Sequence, residues 1–237
     1  QPRSRGLGDV YKRQKLMSRT CLRPIPRGKL NRNQALYFGT SLSVISVVSL
    51  YFVTNALSAF LLLFTILFYV FVYTIWLKRK TPQNIVIGGA SGALPPVIGW
   101  AIATNSISLE SIAFFLIIFF WTPSHFWALS LYKADDYKKA GIPMLPVTNG
   151  IQDTKKNILI YSLLMIPTIV FPYYIGFVGE VFLTLSLLLT FYYNLICYQL
   201  YNYKVGKFNI KKARHIFSYS IIYLFLIFVF FLVDKVL

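Results

Sequence analysis

Residues 111–121 read SIAFFLIIFFW, a continuous apolar run that decides the fold class of this chain. The run lies inside a longer stretch, 110–131, which has about the 20 apolar residues needed to cross a bilayer. Backbone polar groups in lipid must pair within the segment, so continuous runs favour helices over the alternating strands of a barrel. The sequence therefore predicts an all-α polytopic membrane protein. About seven stretches qualify as spans: 34–53, 56–76, 84–104, 110–131, 158–177, 180–201 and 216–234.

Composition and charge agree with this fold class. The 237 residues are 57% hydrophobic and only 13% charged, whereas soluble domains carry about a quarter charged residues. A net charge of +17 would suggest nucleic acid in a soluble protein, but here 23 of the 24 basic residues fall in alternate loops. The positive-inside rule places those loops in the cytoplasm. We therefore expect no nucleic-acid partner, and a site that opens toward the cytoplasmic face.

The span 84–104 contains Gly88, Gly89 and Gly92, followed by the pair Pro95-Pro96. The proline pair is expected to kink this helix, because proline removes a backbone donor. The small residues have two interpretations. They let neighbouring helices pack closely, or they accompany a bend that opens a ligand cavity.

Two basic clusters are candidate anion sites. The first contains Arg19, Arg23 and Arg27 within nine residues, and guanidinium groups suit phosphate oxygens. The second, YTIWLKRKTPQN, begins at Tyr73. It combines the cations Lys78 and Arg79 with polar groups at the start of a helix, Thr81, Gln83 and Asn84. The alternative for both clusters is an anchor for lipid headgroups.

A third cluster combines an intramembrane histidine with acids. His125 lies inside a span, where ionisable groups are functional candidates, although a helix–helix hydrogen bond would also explain it. Asp135 and Asp136, near Lys133, form the one adjacent acidic pair among seven acids. Paired carboxylates can hold Mg²⁺ together with phosphate, or can simply be neutralised by nearby lysines. Acids, cations and aromatics on one membrane face suit a lipid diphosphate.

Three stretches resemble a known family. They are MSRTCLRPIPRG (17–28), YTIWLKRKTPQNIVIGGASGALPPVIGWA (73–101) and FFWTPSHFWALSLYKADDYKKAGIPMLPV (119–147). They look like the protohaem IX farnesyltransferases, or haem O synthases, a branch of the UbiA-type intramembrane prenyltransferases. The likeness runs from about Lys15 to the C-terminus. It implies a helical bundle of nine spans around a central cavity.

The resemblance also implies an activity. A farnesyl group passes from farnesyl diphosphate to a vinyl group of haem B, and water completes the addition to give haem O. It implies Mg²⁺ as cofactor, a bacterial inner membrane, and haem A synthase or terminal-oxidase assembly as partners. On this basis Asp135 and Asp136 are assigned to the metal. The diphosphate and haem are assigned to Lys78, Arg79, Tyr73, Arg19, Arg23, Lys133, Thr81, Gln83, Asn84 and, for haem, His125.

The chain departs from the family at its start. The family's Asn-x-x-x-Asp-x-x-x-Asp motif would fall on Gly6, Val10 and Gln14, and none of these matches. We therefore expect residues 1–14 to be a foreign leader and residues 15–237 to be an N-terminally truncated domain with seven of nine spans. On this hypothesis the chain as given lacks half of its metal site and is inactive.

Three other functions stay open from the sequence. The first is a UbiA-type enzyme acting on an aromatic acceptor instead of haem. The second is a transporter or channel, since glycine- and proline-broken helices occur in such proteins, although no inverted repeat is evident. The third is a structural membrane subunit whose basic loops only bind lipid.

Overall fold

A computed structural model describes residues 21–25, 27–203 and 210–236 of the chain, apart from the side chain of Arg79. Every regular element within these ranges is a helix. Seven helical segments there are long and apolar enough to cross a membrane. The predicted all-α membrane fold with seven spans is confirmed, and the chain is an integral membrane protein.

The first two spans form a hairpin. Helix α1 covers Arg32–Val53 and α2 covers Ala56–Leu67, which continues as a π-helix over Phe68–Trp76 and a 3₁₀ turn over Leu77–Arg79. The Asn55 amide donates to the carbonyl of Ala101 at 2.8 Å and ties this hairpin to the next span. No residue of α1 is buried, and an apolar groove of about 620 Å³ lies between α1 and α2.

The third span is divided into two helices. Helix α3 covers Asn84–Ala93, α4 covers Pro95–Thr104, and Leu94 separates them. The division falls immediately before the proline pair, as expected from two successive residues without a backbone donor. Gly88 and Gly89 face neighbouring side chains, Tyr73 and Thr122 respectively. At these two positions the small residues serve close packing.

The remaining spans form the main body of the bundle. They are α5 (Leu109–Tyr132), α8 (Gly150–Tyr174), α9 (Glu180–Tyr201) and α10 (Ile210–Val236). Two short helices, α6 (Ala134–Lys139) and α7 (Leu145–Thr148), lie between α5 and α8. Helix α5 is central because it packs against α3, α8 and α10.

Two predicted boundaries were wrong. Helix α8 begins at Gly150 rather than 158, and α10 begins at Ile210 rather than 216. In both cases the helix begins with polar turns that precede the apolar stretch. Hydropathy therefore predicts the length of the segment that faces lipid, but not the residue at which the helix begins. One consequence is that Lys155, expected in a loop, lies in α8 with only 1% of its surface exposed.

Paired hydroxyl groups cross the main body of the bundle. Ser124 of α5 bonds the Tyr193 hydroxyl of α9 at 2.8 Å, and Thr190 of α9 bonds the Tyr223 hydroxyl of α10 at 2.9 Å. All four side chains are buried. Such bonds hold helices together in lipid, where apolar side chains gain little from contacting each other instead of lipid tails.

The last turn of α10 closes one end of the bundle. The Asp234 carboxylate accepts from the backbone N–H groups of Gly179 at 2.7 Å and Phe182 at 3.0 Å. These donors lie at the start of α9, where a carboxylate both satisfies unpaired N–H groups and faces the positive end of the helix dipole. Lys235 donates to the carbonyl of Phe177 beside them.

Candidate active site

The alternation of the spans places the predicted clusters on one face of the bundle. Segments 77–83 and 133–149 connect spans at the same end as segment 21–31, which precedes α1, because successive spans run antiparallel. We call this end the basic face. The carboxylates of α6 and the cations that follow the π-helix are therefore on the same membrane side, as the diphosphate hypothesis requires.

Tyr73 sits in the last turn of the π-helix, an element found frequently at functional sites. Its ring packs directly on Gly88 of α3. A Cβ built on Gly88 would lie 2.9 Å from Cγ of that ring and closer still to Cδ2 and Cε2. The Lys78 ammonium lies 5.7 Å from the centre of the same ring, within range of a cation–π contact. Tyr73 is thus fixed from one side by a glycine and approached by a cation.

The polar residues after Lys78 turn the chain into α3. The Thr81 hydroxyl accepts from the backbone N–H of Gln83 at 3.2 Å. The amide of Asn84 donates to the carbonyl of Thr81 at 2.7 Å. Asn84 is fully buried, and its Oδ1 has no hydrogen-bond partner in the described part of the protein. The turn therefore presents an oriented acceptor inside the bundle.

Helix α6 carries the acidic pair. Asp135 is exposed, and the Asp136 carboxylate lies 3.7 Å from the Lys133 ammonium. Tyr137, the next residue, is buried in the core. Helix α6 packs against α5 and α7. The acidic cluster and the second basic cluster thus share a membrane side, and direct contact between them stays a prediction.

The acidic pair is compatible with Mg²⁺. The described residues contain no group of three or more His, Cys, Asp or Glu side chains that could hold a metal ion. Mg²⁺ bound with phosphates, however, needs only one or two protein carboxylates, because phosphate oxygens and water complete its octahedron. Asp135 and Asp136 match that donor set.

His125 lies at the seam between α5 and α10. Its Nδ1 is 2.7 Å from the hydroxyl of Ser220, and its ring is stacked between Trp121 and Phe217 at 4.3 and 4.6 Å between ring centres. Trp121 Nε1 donates to the carbonyl of Ser220 at 2.8 Å. The helix–helix hydrogen bond that the sequence offered as one explanation of His125 is therefore present, and it uses Nδ1 rather than Nε2.

The described structure does not cover every residue predicted for this site. Arg23 is exposed in the first loop, where its carbonyl accepts from the backbone of Arg27 at 3.0 Å. Arg19 and the side chain of Arg79 lie outside the described residues. The sequence also missed Arg214 of α10, whose guanidinium lies 5.5 Å from the centre of the Tyr132 ring. The sequence gives no signal for this contact, because Arg214 and Tyr132 lie far apart along the chain.

Comparisons with known proteins show which family the chain resembles. The model of the UbiA prenyltransferase family matches residues 11–222. A protoheme IX farnesyltransferase of Pelagibacter ubique is 74% identical over 94% of this chain and 73% of its own length. Proteins of the same name from Parvibaculum lavamentivorans and Azorhizobium caulinodans are 48% and 51% identical, over 93% and 90% of this chain and 70% and 69% of their own lengths.

Two solved structures share the fold. A structure described as a digeranylgeranylglyceryl phosphate synthase superposes with a TM-score of 0.73 at 18% identity, covering 95% of this chain and 79% of that one. A UbiA homologue from Archaeoglobus fulgidus, bound to DMAPP and Mg²⁺, gives 0.61 at 17% identity, covering 92% and 80%. From its sequence relatives and its helical architecture, the chain belongs to the UbiA prenyltransferase family, among relatives named protoheme IX farnesyltransferases.

Proposed function

We propose that this protein transfers the farnesyl group of farnesyl diphosphate to a vinyl group of haem B, which yields haem O. The observation that carries the proposal is the position of the α6 carboxylates and of Lys78 in loops on the same membrane side, which follows from the order of the spans. Two carboxylates and a cation at one end of an apolar bundle support binding of a diphosphate with Mg²⁺. The high identity to relatives named for this reaction supports haem as the acceptor.

The cations and carboxylates act on the leaving group. The bond between the allylic carbon and the diphosphate oxygen breaks only if the charge on the departing diphosphate is stabilised. Lys78 and Arg79 bind diphosphate oxygens, with Arg19 and Arg23 of the first loop as further cations. Asp135 and Asp136 hold Mg²⁺, which neutralises developing phosphate charge when bound. Lys133 keeps the Asp136 carboxylate oriented.

The turn before α3 positions the head group. The Thr81 hydroxyl can donate to a phosphate oxygen, and the Gln83 amide offers a second donor. Asn84 has a different role, because one amide N–H donates to the carbonyl of Thr81 and its buried Oδ1 is an unpaired acceptor in the described part of the chain. We assign Asn84 to a water or another donor that lies between protein and diphosphate.

Aromatic residues protect the reacting carbon. The Tyr73 ring, locked on Gly88, presents a face that attracts a developing allylic cation. The haem vinyl attacks that carbon, and water then adds to the resulting cation with loss of a proton. His125 holds the haem on the α5–α10 seam. Exclusion of water until the carbon–carbon bond has formed favours transfer over hydrolysis.

The basic face gives the orientation. Because Lys and Arg concentrate there, we place it in the cytoplasm of a bacterium whose inner membrane holds the protein. The product would pass to haem A synthase or to terminal-oxidase assembly.

The test is a transferase assay on the purified protein in lipid nanodiscs with haem B, farnesyl diphosphate and Mg²⁺. Wild type should form haem O, and D135N and D136N should each lower kcat by about 100-fold or more. K139M is the matched control, because Lys139 is an exposed charge on the same short helix. Equal rates for all four proteins would overturn the assignment of the acids.

A second arm addresses the start of the chain. If wild type is inactive, residues 15–237 are joined to the N-terminal segment of the Pelagibacter relative, where the family resemblance predicts the first acidic motif. Haem O formation by this chimera, and its loss in the D136N chimera, would support the proposal. A chimera that prenylates only an aromatic acid or quinone precursor would refute haem as the acceptor.

A further inference from the structure

We propose that Ser220 is a positioning residue for the haem substrate, because it fixes the tautomer of His125 and so presents Nε2 to the haem iron. The inference rests on the proposed function for its ligand. The tautomer itself follows from contacts within the chain and can be measured without haem.

The hydrogen bonds around Ser220 determine which imidazole nitrogen carries the proton. The Ser220 hydroxyl donates to the carbonyl of Phe217 at 2.7 Å, and the same oxygen lies 2.7 Å from His125 Nδ1. A serine hydroxyl has one proton. Both contacts are hydrogen bonds at once only if Nδ1–H donates to Ser220 and Ser220 donates to Phe217. The opposite tautomer would keep only one of the two.

The other nitrogen is left as an acceptor. Nε2 of His125 has no hydrogen-bond partner in the described part of the chain. It is also not one of the unpartnered polar atoms that are completely buried, so it remains accessible. In that tautomer Nε2 carries a lone pair. Histidines that bind metals commonly donate their other ring N–H to a neighbouring oxygen, which fixes tautomer and ring orientation. The Ser220–His125 pair has this arrangement.

The surrounding rings fix the plane of the imidazole. Trp121 stacks on one face at 20° between planes and Phe217 stacks on the other at 26°. The backbone carbonyl of Ser220 also accepts from Trp121 Nε1. Ser220 therefore holds both the imidazole and Trp121, one of its stacking partners. Because both faces of the imidazole are covered, it can meet a ligand only through its edge.

Two features limit what this edge can bind. Its surroundings are aromatic and intramembrane, which suits a flat apolar ligand with a central metal rather than a hydrated ion. Imidazole is also a common ligand of haem iron. A substrate porphyrin is the ligand class that satisfies both conditions.

The tautomer can be measured by NMR of the protein labelled with ¹⁵N-histidine in nanodiscs. The chain has two histidines, so H215Q leaves a single pair of imidazole signals from His125. Wild-type geometry predicts a protonated Nδ1 and an unprotonated Nε2. S220A should shift the population toward Nε2–H, which prevails in water, and S220T should retain the wild-type pattern through its hydroxyl. An Nε2–H signal in the wild type would overturn the proposal.

Haem binding supplies the second readout. Titration with haem B should give a histidine-ligated absorption spectrum in the wild type and in S220T. S220A should bind about 10- to 100-fold more weakly with an altered spectrum, and H125A should lose the histidine-ligated form. Unchanged binding by S220A, with a wild-type unfolding midpoint, would refute the role of Ser220.

The outcomes separate this inference from the proposed function. If H125A keeps the wild-type haem spectrum while haem O is still made, the reaction stands and the positioning role fails. If the wild type neither binds haem nor forms haem O in either assay arm, the proposed function itself fails, whatever the tautomer.

Discussion

Gly88 is the residue on which the position of Tyr73 depends most directly. G88A adds a methyl group inside the Tyr73 ring contact, so the ring must move away from α3 and its distance to the Lys78 ammonium must change. We expect G88A to lower kcat about 10-fold or more in the transferase assay, with the protein still folded. G92A is the matched control, because a Cβ on Gly92 would meet nothing within 4 Å and alanine favours helix by about 1 kcal/mol. Equal activity of the two variants would show that the Tyr73 ring position does not matter.

Lys155 and Lys156 are adjacent lysines in opposite environments. Lys155 is almost completely buried and donates to the carbonyl of Tyr203 at 3.0 Å, whereas Lys156 is exposed. K155A removes a packed side chain and leaves a carbonyl unpaired, so we expect a loss of about 2 kcal/mol or more in unfolding free energy. K156A should change it by no more than about 0.5 kcal/mol. Thermal unfolding in one detergent compares them, and equal midpoints would contradict the buried position.

Between helices, the carboxylate at the end of α10 serves as a cap for the start of α9. D234A removes both bonds to Gly179 and Phe182, and we expect it to cost about 1–2 kcal/mol of stability. E180Q removes an exposed charge in the same helical turn and should cost less, because only the dipole interaction is lost. Matching losses in unfolding free energy would mean that charge alone, and not the cap, stabilises this end.

The elements were largely predictable from hydropathy, and their ends were not. The seven spans follow from apolar length, and the break before Pro95 follows from two missing backbone donors. The early starts of α8 and α10 were missed because their first turns are polar and helical at once. The π-helix over Phe68–Trp76 was also missed, since a change of hydrogen-bond register leaves no mark on an apolar sequence.

The sequence predicted the residue types of the site better than it predicted which of these residues contact each other. The pairing of a basic turn with an acidic pair on one face followed from alternation of the spans and from family resemblance. The burial of Tyr137 was not foreseen, because a tyrosine in a loop helix gives no sign that it is buried. Ser220 and Arg214 could not be assigned either, since they meet α5 only through folding of a segment more than 80 residues away.

For the whole molecule, the orientation can be tested by labelling. Cys197 is fully buried, so replacing Cys21 alone should leave the protein unreactive toward an impermeant maleimide. K139C on the basic face should then react only after cells are permeabilised, and S106C, between α4 and α5, should react in intact cells. The reverse pattern would place the basic face outside and contradict a cytoplasmic site.

The paired hydroxyl groups of Ser124–Tyr193 and Thr190–Tyr223 bear on how the protein is made. A hydroxyl without a partner is costly in hydrocarbon. Thr190 donates within α9 to the carbonyl of Ser186 at 2.7 Å, so the hydroxyls at a penalty are those of Tyr193 when α9 enters alone and of Tyr223 when α10 enters alone. Entry together with α10 would satisfy one pair immediately, and docking on α5 would satisfy the other. We therefore expect the last two helices to leave the insertion machinery as a unit, because α10 alone would carry the Tyr223 hydroxyl unpaired.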